Sequence, residues 1–278
     1  MLVVVNPHRA DAAHAGDLVT RELEDEGIEV CKTFDPGSDT PVEAAVVLGG
    51  DGTILYAAAL TRGTDIPLLG VNLGHVGFLA EAEREDVRHA VQRLVAGDYT
   101  VEERNTLEVV VKQPDGSTES GWALNEATVE RSNLLRTVEL AVEVDGKPVS
   151  TFGCDGVVIS TATGSTAHAF SAGGPILWPD VDALLFVPLA AHALFARPLV
   201  VGPRSWFALE VLERSESEAL VVLDGSRSID VERGGRIEVR RGGHQVKLAR
   251  MSDAPFTERL VRKFSLPTNG WRGPAQDG

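Results

Sequence analysis

The stretch AAVVLGGDGTILYAAAL at residues 44 to 60 decides the fold of the first part of this chain. Ala44 to Leu48 is short and apolar, which is typical of a strand buried on both faces, and Thr53 to Leu60 contains good helix formers. Strand-to-helix units of this kind build parallel sheets, whose ligands bind at the carboxyl ends of the strands. Glycines in such a turn let backbone N–H groups approach an anion, and we expect this of Gly49, Gly50 and Gly52.

Asp51 stands in the middle of this turn. A carboxylate repels a bare phosphate, so its role must be another one. It can cap the helix, recruit a metal ion, or accept the proton of a hydroxyl that attacks the phosphate. The turn alone leaves all three roles open.

The first hundred residues alternate short apolar runs with helical patterns. We predict further strands at Val3 to Val5 and Leu68 to Val71, and helices at Ala12 to Asp25 and Arg84 to Ala96. This order predicts a Rossmann-like, three-layer α/β domain with a parallel sheet.

After about Arg104 the hydrophobic period changes to two. In TVELAVEVDGKPV, at 137 to 149, alternate residues from Val138 to Val144 are apolar, and Asp145-Gly146 is a hairpin turn. This predicts a mostly antiparallel β-sandwich, with further strands at Leu107 to Val111, Trp206 to Leu212, Leu220 to Leu223, Arg236 to Val239 and Gln245 to Arg250.

The end of the chain returns to a helical pattern. Phe256, Leu260, Val261 and Phe264 share one face of a helix, which we expect to pack back on the first domain. The predicted domains are therefore 1–104, completed by 253–278, and 105–252.

The composition is strongly acidic. Asp and Glu number 41 against 26 Lys and Arg, of which five are Lys, and the formal charge is −15. This argues against a nucleic-acid partner, and it suggests a halophilic protein, with an ordinary acidic protein as the alternative. With no signal-like start and no 18-residue apolar run, we expect a cytoplasmic protein without a membrane partner.

A second glycine-rich stretch, DGVVISTATGSTAHAFSAGGPIL, occupies residues 155 to 177. Its dense hydroxyl groups and short helical segment suit a nucleotide, although Ser, Thr and Gly clusters also form ordinary loops and caps. Neither stretch contains GxxxxGK[ST], and no GxGxxG opens the first domain.

Together these stretches resemble the NAD kinase family, which uses ATP or polyphosphate. The shared motifs are GGDGT at 49 to 53, GVNLGHVGFLAE at 70 to 81, NEATV at 125 to 129, the block at 155 to 177, and LFARPLVV at 194 to 201. The resemblance implies phosphoryl transfer to the 2′-hydroxyl of the adenosine ribose of NAD, with Mg²⁺ held mainly by the donor's phosphates. No metal site built from protein side chains is predicted.

The resemblance also implies a set of site residues. Asp51 matches the proton acceptor and part of the NAD site, and Asn125 with Glu126 matches the pair that holds the adenine ribose. Some positions of the dinucleotide site are reached across a subunit interface, which implies a homodimer or homotetramer. The donor phosphates would be bound by Gly49, Gly50, Gly52, Thr53 and Arg136, and NAD also by Gly52, Phe78, Asp155, Thr166, Ala167, His168, Ala169, Phe170, Ser171 and Ala190.

Several positions depart from the family pattern, among them Ser226, which stands near a usual glutamine. Ala162 replaces a usual proline, His168 a usual tyrosine, and Gly153 a frequent Arg or Lys. None of them is the proposed proton acceptor, so we expect activity with altered affinity. Two other functions remain open at this point, a GGDG-type lipid or sugar kinase and a non-catalytic dinucleotide sensor.

Overall fold

The computed structural model describes residues 1–6, 10–35, 37, 41–74, 77–252 and 254–268, without the side chains of residues 10 and 11. The chain divides into two compact units, Met1–Glu103 with Val246–Gly278, and Arg104–Gln245. His75 and Val76, in the motif at 70 to 81, lie outside the described residues.

The helices and strands follow one another in this order. The chain begins with β1 (Leu2–Val5), α1 (Ala10–Asp25), β2 (Ala45–Leu48), α2 (Asp51–Leu60), β3 (Leu68–Asn72), β4 (Ala82–Glu83), α3 (Val87–Val95) and β5 (Thr100–Arg104). It continues with β6 (Leu107–Lys112), β7 (Thr118–Ala123), β8 (Glu126–Arg131), β9 (Val138–Val144), β10 (Lys147–Cys154), β11 (Gly156–Ser160), α4 (His168–Ser171), β12 (Leu184–Leu189), β13 (Leu199–Val201), β14 (Trp206–Val211), β15 (Ala219–Leu223), β16 (Arg227–Val231) and β17 (Arg236–Arg241). It ends with β18 (Val246–Arg250) and α5 (Phe256–Phe264).

The first unit has the predicted three layers around a sheet in the order β1-β2-β3-β18-β5, with β4 on β3. Strands β1, β2 and β3 are parallel. Helices α1 and α3 pack with Val46, Leu48 and Val71. On α2, Ile54 lies against Gly70, where a Cβ atom would approach Ile54 Cδ1 to 2.5 Å. The α/β prediction is therefore confirmed.

One strand lies in a different sheet from the one predicted. The sequence pattern assigned residues 245 to 250 to the β domain, but β18 pairs in parallel with β3 of the first sheet. Its Leu248 and Ala249 are both buried, although neighbouring residues of a strand point to opposite faces. Burial on both faces is typical of a central strand in a layered α/β sheet, and a short pattern does not distinguish it from a half-buried edge.

The second unit consists of two six-stranded antiparallel sheets, in the orders β10-β9-β14-β17-β6-β7 and β13-β12-β11-β8-β15-β16. Both sheets contribute to one apolar core, in which the rings of Phe186 and Phe207 stack at 5.2 Å. The hairpin between β9 and β10 turns at Asp145 and Gly146, which both have positive φ, as predicted. The β-sandwich prediction is confirmed.

The final helix α5 packs on the first unit, as expected. The ring of Phe78 lies 5.7 Å from that of Phe256 and 5.9 Å from that of Phe264. Among the described residues, no helix combines the length and the apolar character needed to cross a membrane.

Candidate active site

The carboxylate of Asp51 is held by the backbone of a distant loop. Asp51 is the first residue of α2, and the N-cap position belongs to Gly50. The N–H of Phe78 donates to Asp51 Oδ2 at 3.0 Å, and the N–H of Leu79 donates to Oδ1 at 3.1 Å. The helix-cap alternative is therefore wrong, because this side chain binds amides 27 and 28 residues away.

Gly77 is required for this contact. A Cβ atom at Gly77 would lie 2.3 Å from Asp51 Oδ1, much closer than van der Waals contact allows. The absence of a side chain thus lets the loop approach the carboxylate. We define residues 77–81 as the Asp51-binding loop.

The three glycines at the start of α2 differ in the space around them. Gly49 has φ of 156°, and a Cβ there would lie 2.2 Å from Thr53 Oγ1. Gly50 and Gly52 have no heavy atom within 4 Å of such a Cβ. Thr53 is buried, and its N–H donates to the carbonyl of Gly50. The backbone is therefore unobstructed at Gly50 and Gly52, whereas the buried Thr53 side chain packs against Gly49.

A cleft of about 760 Å³ adjoins this turn. Its walls include Gly52 and Thr53 at the start of α2, together with Tyr56, Phe34 and Lys32. Asp17 lines the same cleft and lies 3.6 Å from Lys32. The cleft thus combines backbone at a helix N-terminus with aromatic surface and an ion pair.

Asn125 and Glu126 are neighbouring buried side chains of the second unit, and each carries an acceptor atom without a hydrogen-bond partner in the described part of the chain. Asn125 immediately precedes β8 and Glu126 begins it, and each has less than a tenth of its surface exposed. Asn125 Oδ1 and Glu126 Oε2 have no hydrogen-bond partner among the described residues. Burial and then the charge of Asp224 raise the pKa of Glu126 to about 7, against a smaller opposing effect of the His168 N–H.

Asp224 is a site residue that sequence reasoning missed. Its carboxylate accepts hydrogen bonds from the N–H groups of Leu124 at 2.9 Å and Asn125 at 2.8 Å, and from the guanidinium of Arg227 at 2.8 Å. Burial raises its pKa despite these three donors. Sequence analysis missed this role because an Asp-Gly pair, here at 224 and 225, predicts only a turn. The turn is present, and both residues have positive φ.

The glycine-rich block folds against the backbone of Asn125. A Cβ atom at Gly164 would lie 2.1 Å from the carbonyl oxygen of Asn125. The hydroxyl of Thr161 donates to the carbonyl of Leu124 at 2.7 Å, and that of Ser165 to the carbonyl of Ala162 at 2.6 Å. These two hydroxyls therefore organise the turn itself, as the loop-and-cap interpretation expected.

The residues after this turn differ in exposure. The Thr166 hydroxyl donates to the carbonyl of Thr163 at 3.2 Å. Ala167 precedes α4, and Ala169 is buried in an apolar cluster under β11 and β12. Three residues of α4 have exposed side chains, namely His168, Phe170 and Ser171.

Asp155 lies at the other end of β8. Glu126 pairs with Ser160, whereas Glu130 pairs with Gly156 next to Asp155. Asp155 forms an ion pair with Arg131 at 3.1 Å. At roughly 3.3 Å per residue, the strand separates this end from Glu126 by roughly 13 Å.

The remaining predicted residues have other surroundings. Arg136 is exposed and pairs with Glu216 at 2.9 Å. Ala190 is exposed directly after β12, with φ of 47°. The Phe78 ring is buried against α5, so the contribution of this residue to Asp51 is its backbone N–H.

The chain matches two family models along its length. Residues 29–99 match the ATP-NAD kinase N-terminal domain, and residues 124–251 match the ATP-NAD kinase C-terminal domain. The alternative of a lipid or sugar kinase is therefore wrong, since it required an apolar or sugar-binding cleft in place of the glycine-rich block at 155 to 177, and this block lies within the match to the ATP-NAD kinase C-terminal domain.

Curated relatives and solved structures agree with this. An NAD kinase of Leifsonia xyli is 52% identical, covering 99% of this chain and 97% of the relative. One of Mycolicibacterium paratuberculosis is 55% identical, over 86% and 77%. The fold is similar to that of yeast NADH kinase complexed with NADH, with TM-score 0.85, 23% identity and 96% and 87% coverage. It also resembles an Archaeoglobus fulgidus NAD kinase in complex with ATP, with TM-score 0.75, 26% identity and 96% and 99% coverage. These matches confirm the resemblance seen in the two glycine-rich stretches, and the chain belongs to the NAD kinase family of phosphotransferases.

Proposed function

We propose that this chain transfers the terminal phosphoryl group of ATP to the 2′-hydroxyl of the adenosine ribose of NAD, and that Asp51 receives the hydroxyl proton. The observation that carries this proposal is the position of the Asp51 carboxylate, at a glycine turn and fixed by two backbone amides. The Asp51 carboxylate does not cap its helix, and it forms no ion pair within the part of the chain that the structure describes. A carboxylate in this state is suited to a hydroxyl group.

The proposed reaction makes modest demands on the protein. The bond between the ribose oxygen and phosphorus forms while the bond from phosphorus to the donor's bridging oxygen breaks, and the hydroxyl proton passes to Asp51. Because the transition state is loose, catalysis depends on positioning and on neutralisation of charge. The two amides stop rotation of the carboxylate, which supports an orienting role as well as late proton transfer.

The second unit is suited to hold the acceptor dinucleotide. Asn125 Oδ1 and Glu126 Oε2 are buried acceptors at one end of β8 without partners among the described residues. A buried acceptor without a donor is costly, and ribose hydroxyls would supply donors to both. Residues 166–171 follow the turn that packs on Asn125. We assign this segment to the same dinucleotide except for Ala169, whose side chain is buried in the apolar cluster.

The cleft beside Gly52 and Thr53 supports binding of the phosphoryl donor. ATP is the donor we propose, with polyphosphate as the alternative, and Arg136 as an additional cation. Among the described residues, no group of three or more His, Cys, Asp or Glu side chains is placed to hold a metal ion. We propose that Mg²⁺ arrives with the donor's phosphates and neutralises their charge.

We further propose a homodimer or homotetramer that acts in the cytoplasm. The separation of Asp155 from Glu126 along β8 supports this oligomer, because one chain presents the two carboxylates at opposite strand ends. In the proposed oligomer, one copy would contribute Glu126 to a dinucleotide site and a second copy would contribute Asp155. The acidic composition supports the hypothesis of adaptation to high salt.

The function is tested by incubating the protein with NAD, ATP and Mg²⁺ and measuring NADP. Asp51→Asn should lower kcat by about 10²- to 10⁴-fold, the usual contribution of a positioned base. The amide also places an NH₂ group against one of the two backbone donors, so a matched control is needed. Asp145→Asn makes the same change at a carboxylate that binds the Trp206 N–H in the hairpin between β9 and β10, and it should retain activity. Folded Asp51→Asn protein within about threefold of the wild-type rate would reject the assignment.

A further inference from the structure

The Asp51-binding loop is held on its other side by the end of the chain. Its N–H groups at Phe78 and Leu79 face Asp51, and its carbonyl groups face two arginines. Arg250 Nη1 donates to the carbonyl of Leu79 at 2.9 Å. Arg259 Nη1 donates to the carbonyls of Phe78 at 3.3 Å and Ala80 at 3.4 Å. The loop is thus fixed between the carboxylate and two guanidinium groups.

One peptide group connects Arg259 to Asp51 directly. The carbonyl of Phe78 and the N–H of Leu79 belong to the same peptide unit, which is planar and trans. Their hydrogen bonds therefore point in opposite directions, one to Arg259 and one to Asp51. A rotation of this plane that breaks one bond also breaks the other.

Glu81 holds the guanidinium of Arg259 in place. The buried Glu81 carboxylate accepts a hydrogen bond from Arg259 Nη2 at 2.7 Å and pairs with Arg250 Nη1 at 3.3 Å. It also accepts hydrogen bonds from the backbone N–H groups of Met251 and Ser252. Burial opposes ionisation, but the Ser252 hydroxyl, the Met251 N–H and the two arginines outweigh it and lower the pKa of Glu81.

Aromatic packing adds a second connection to the same helix. Phe256 and Phe264 of α5 both contact the ring of Phe78, the residue whose N–H binds Asp51 Oδ2. Helix α5 therefore constrains both amides that hold the carboxylate, the one at Phe78 through the ring and the one at Leu79 through Arg259.

We propose that Arg259 is a positioning residue for phosphoryl transfer, which acts on Asp51 through the Asp51-binding loop. This inference rests on the proposed function of Asp51. Without the guanidinium, the peptide between Phe78 and Leu79 loses its fixed orientation, and the carboxylate rotates away from the acceptor hydroxyl. Misplacement of a reacting group by about 1 Å costs up to about 10²-fold in rate.

The test compares two arginines of the same helix. Arg259→Gln should lower kcat about 10- to 100-fold while KM for NAD changes less than about threefold, because the contacts that we assign to Asn125, Glu126 and the segment after Thr163 are untouched. Arg262→Gln is the matched control, since Arg262 is exposed and pairs with Glu83 at the surface. It should leave both constants within about twofold of the wild-type values. A purely structural role of Arg259 would lower the melting temperature and leave kcat of the folded enzyme unchanged, which would overturn the proposal.

The double variant Asp51→Asn/Arg259→Gln separates this inference from the proposed function. If Arg259 acts through Asp51, its substitution adds little to the loss caused by Asp51→Asn. Additive losses would refute the inference and leave the function of Asp51 intact, whereas an active Asp51→Asn variant would refute the proposed function itself. If Arg259→Gln does not fold, Arg259→Lys provides the same comparison, because it keeps the charge beside Glu81 but not the forked guanidinium.

Discussion

Replacing Glu126 by Gln should make the second unit progressively more stable than the wild type as the pH rises. The folded protein places this carboxyl in a buried position near Asp224, with Oε2 unpartnered among the described residues. The pKa of Glu126 is consequently raised from 4.5 to about 7, mainly by burial and next by the charge of Asp224. Glutamine has a similar shape and no charge to bury.

The size of the effect follows from this pKa. Each pKa unit corresponds to about 1.4 kcal/mol, so the rise from 4.5 to about 7 amounts to about 3 kcal/mol. The folded state binds the proton more tightly than the unfolded state, so the wild type loses stability as the pH rises above the unfolded value. The loss is complete once the pH exceeds the folded pKa. The difference between Glu126→Gln and the wild type should therefore grow by about 3 kcal/mol between about pH 4.5 and pH 8.

Urea unfolding followed by tryptophan fluorescence measures this difference. Three of the four tryptophans, at positions 122, 178 and 206, belong to the second unit, and Trp271 lies outside the described residues. Glu119→Gln on β7 is the control for the loss of one exposed negative charge. A difference between Glu126→Gln and the wild type that stays within about 0.5 kcal/mol from pH 5 to pH 8 would show that Glu126 is not desolvated in solution.

Two further predictions concern affinity and salt. His168→Tyr should lower KM for NAD with little change in kcat, because an exposed ring on α4 would bind the ground state and the transition state equally well. Steady-state kinetics that show a large change in kcat at constant KM would assign His168 a chemical role. The melting temperature and activity should rise in molar KCl. The 41 acidic residues outnumber the 26 basic ones, and their mutual repulsion is screened as the Debye length falls to about 3 Å at 1 M salt. Equal values at about 0.1 M and 2 M KCl would contradict this.

The sequence by itself determined the local parts of the fold and of the site. The apolar runs and their periods predicted the longer helices and three strands of the first unit, because burial of one or both faces directly sets the spacing of apolar residues. In the second unit they predicted five strands, namely β6, β9, β14, β15 and β17. They missed the other strands of this unit, among them β8 and β11. Strand β8 contains only two apolar residues, Ala127 and Val129, and the short apolar run of β11 lies inside the glycine-rich block, which was interpreted as a nucleotide-binding segment. Adjacent residues also predicted the glycine turn around Asp51, the hairpin at Asp145 and Gly146, and the family.

Only the tertiary structure decided which partners these residues have. Asp51 binds amides 27 and 28 residues away, Asp224 binds amides about 100 residues away, and Arg259 reaches a carbonyl 181 residues away. No local pattern encodes such pairs, because they depend on the order of strands in the sheets, including the unexpected place of β18 beside β3. The pKa values of the acidic residues also depend on tertiary packing. Among 41 acidic residues, Glu81 is buried with two arginines, and its pKa is lowered. Glu126 is buried beside another carboxylate, and its pKa is raised.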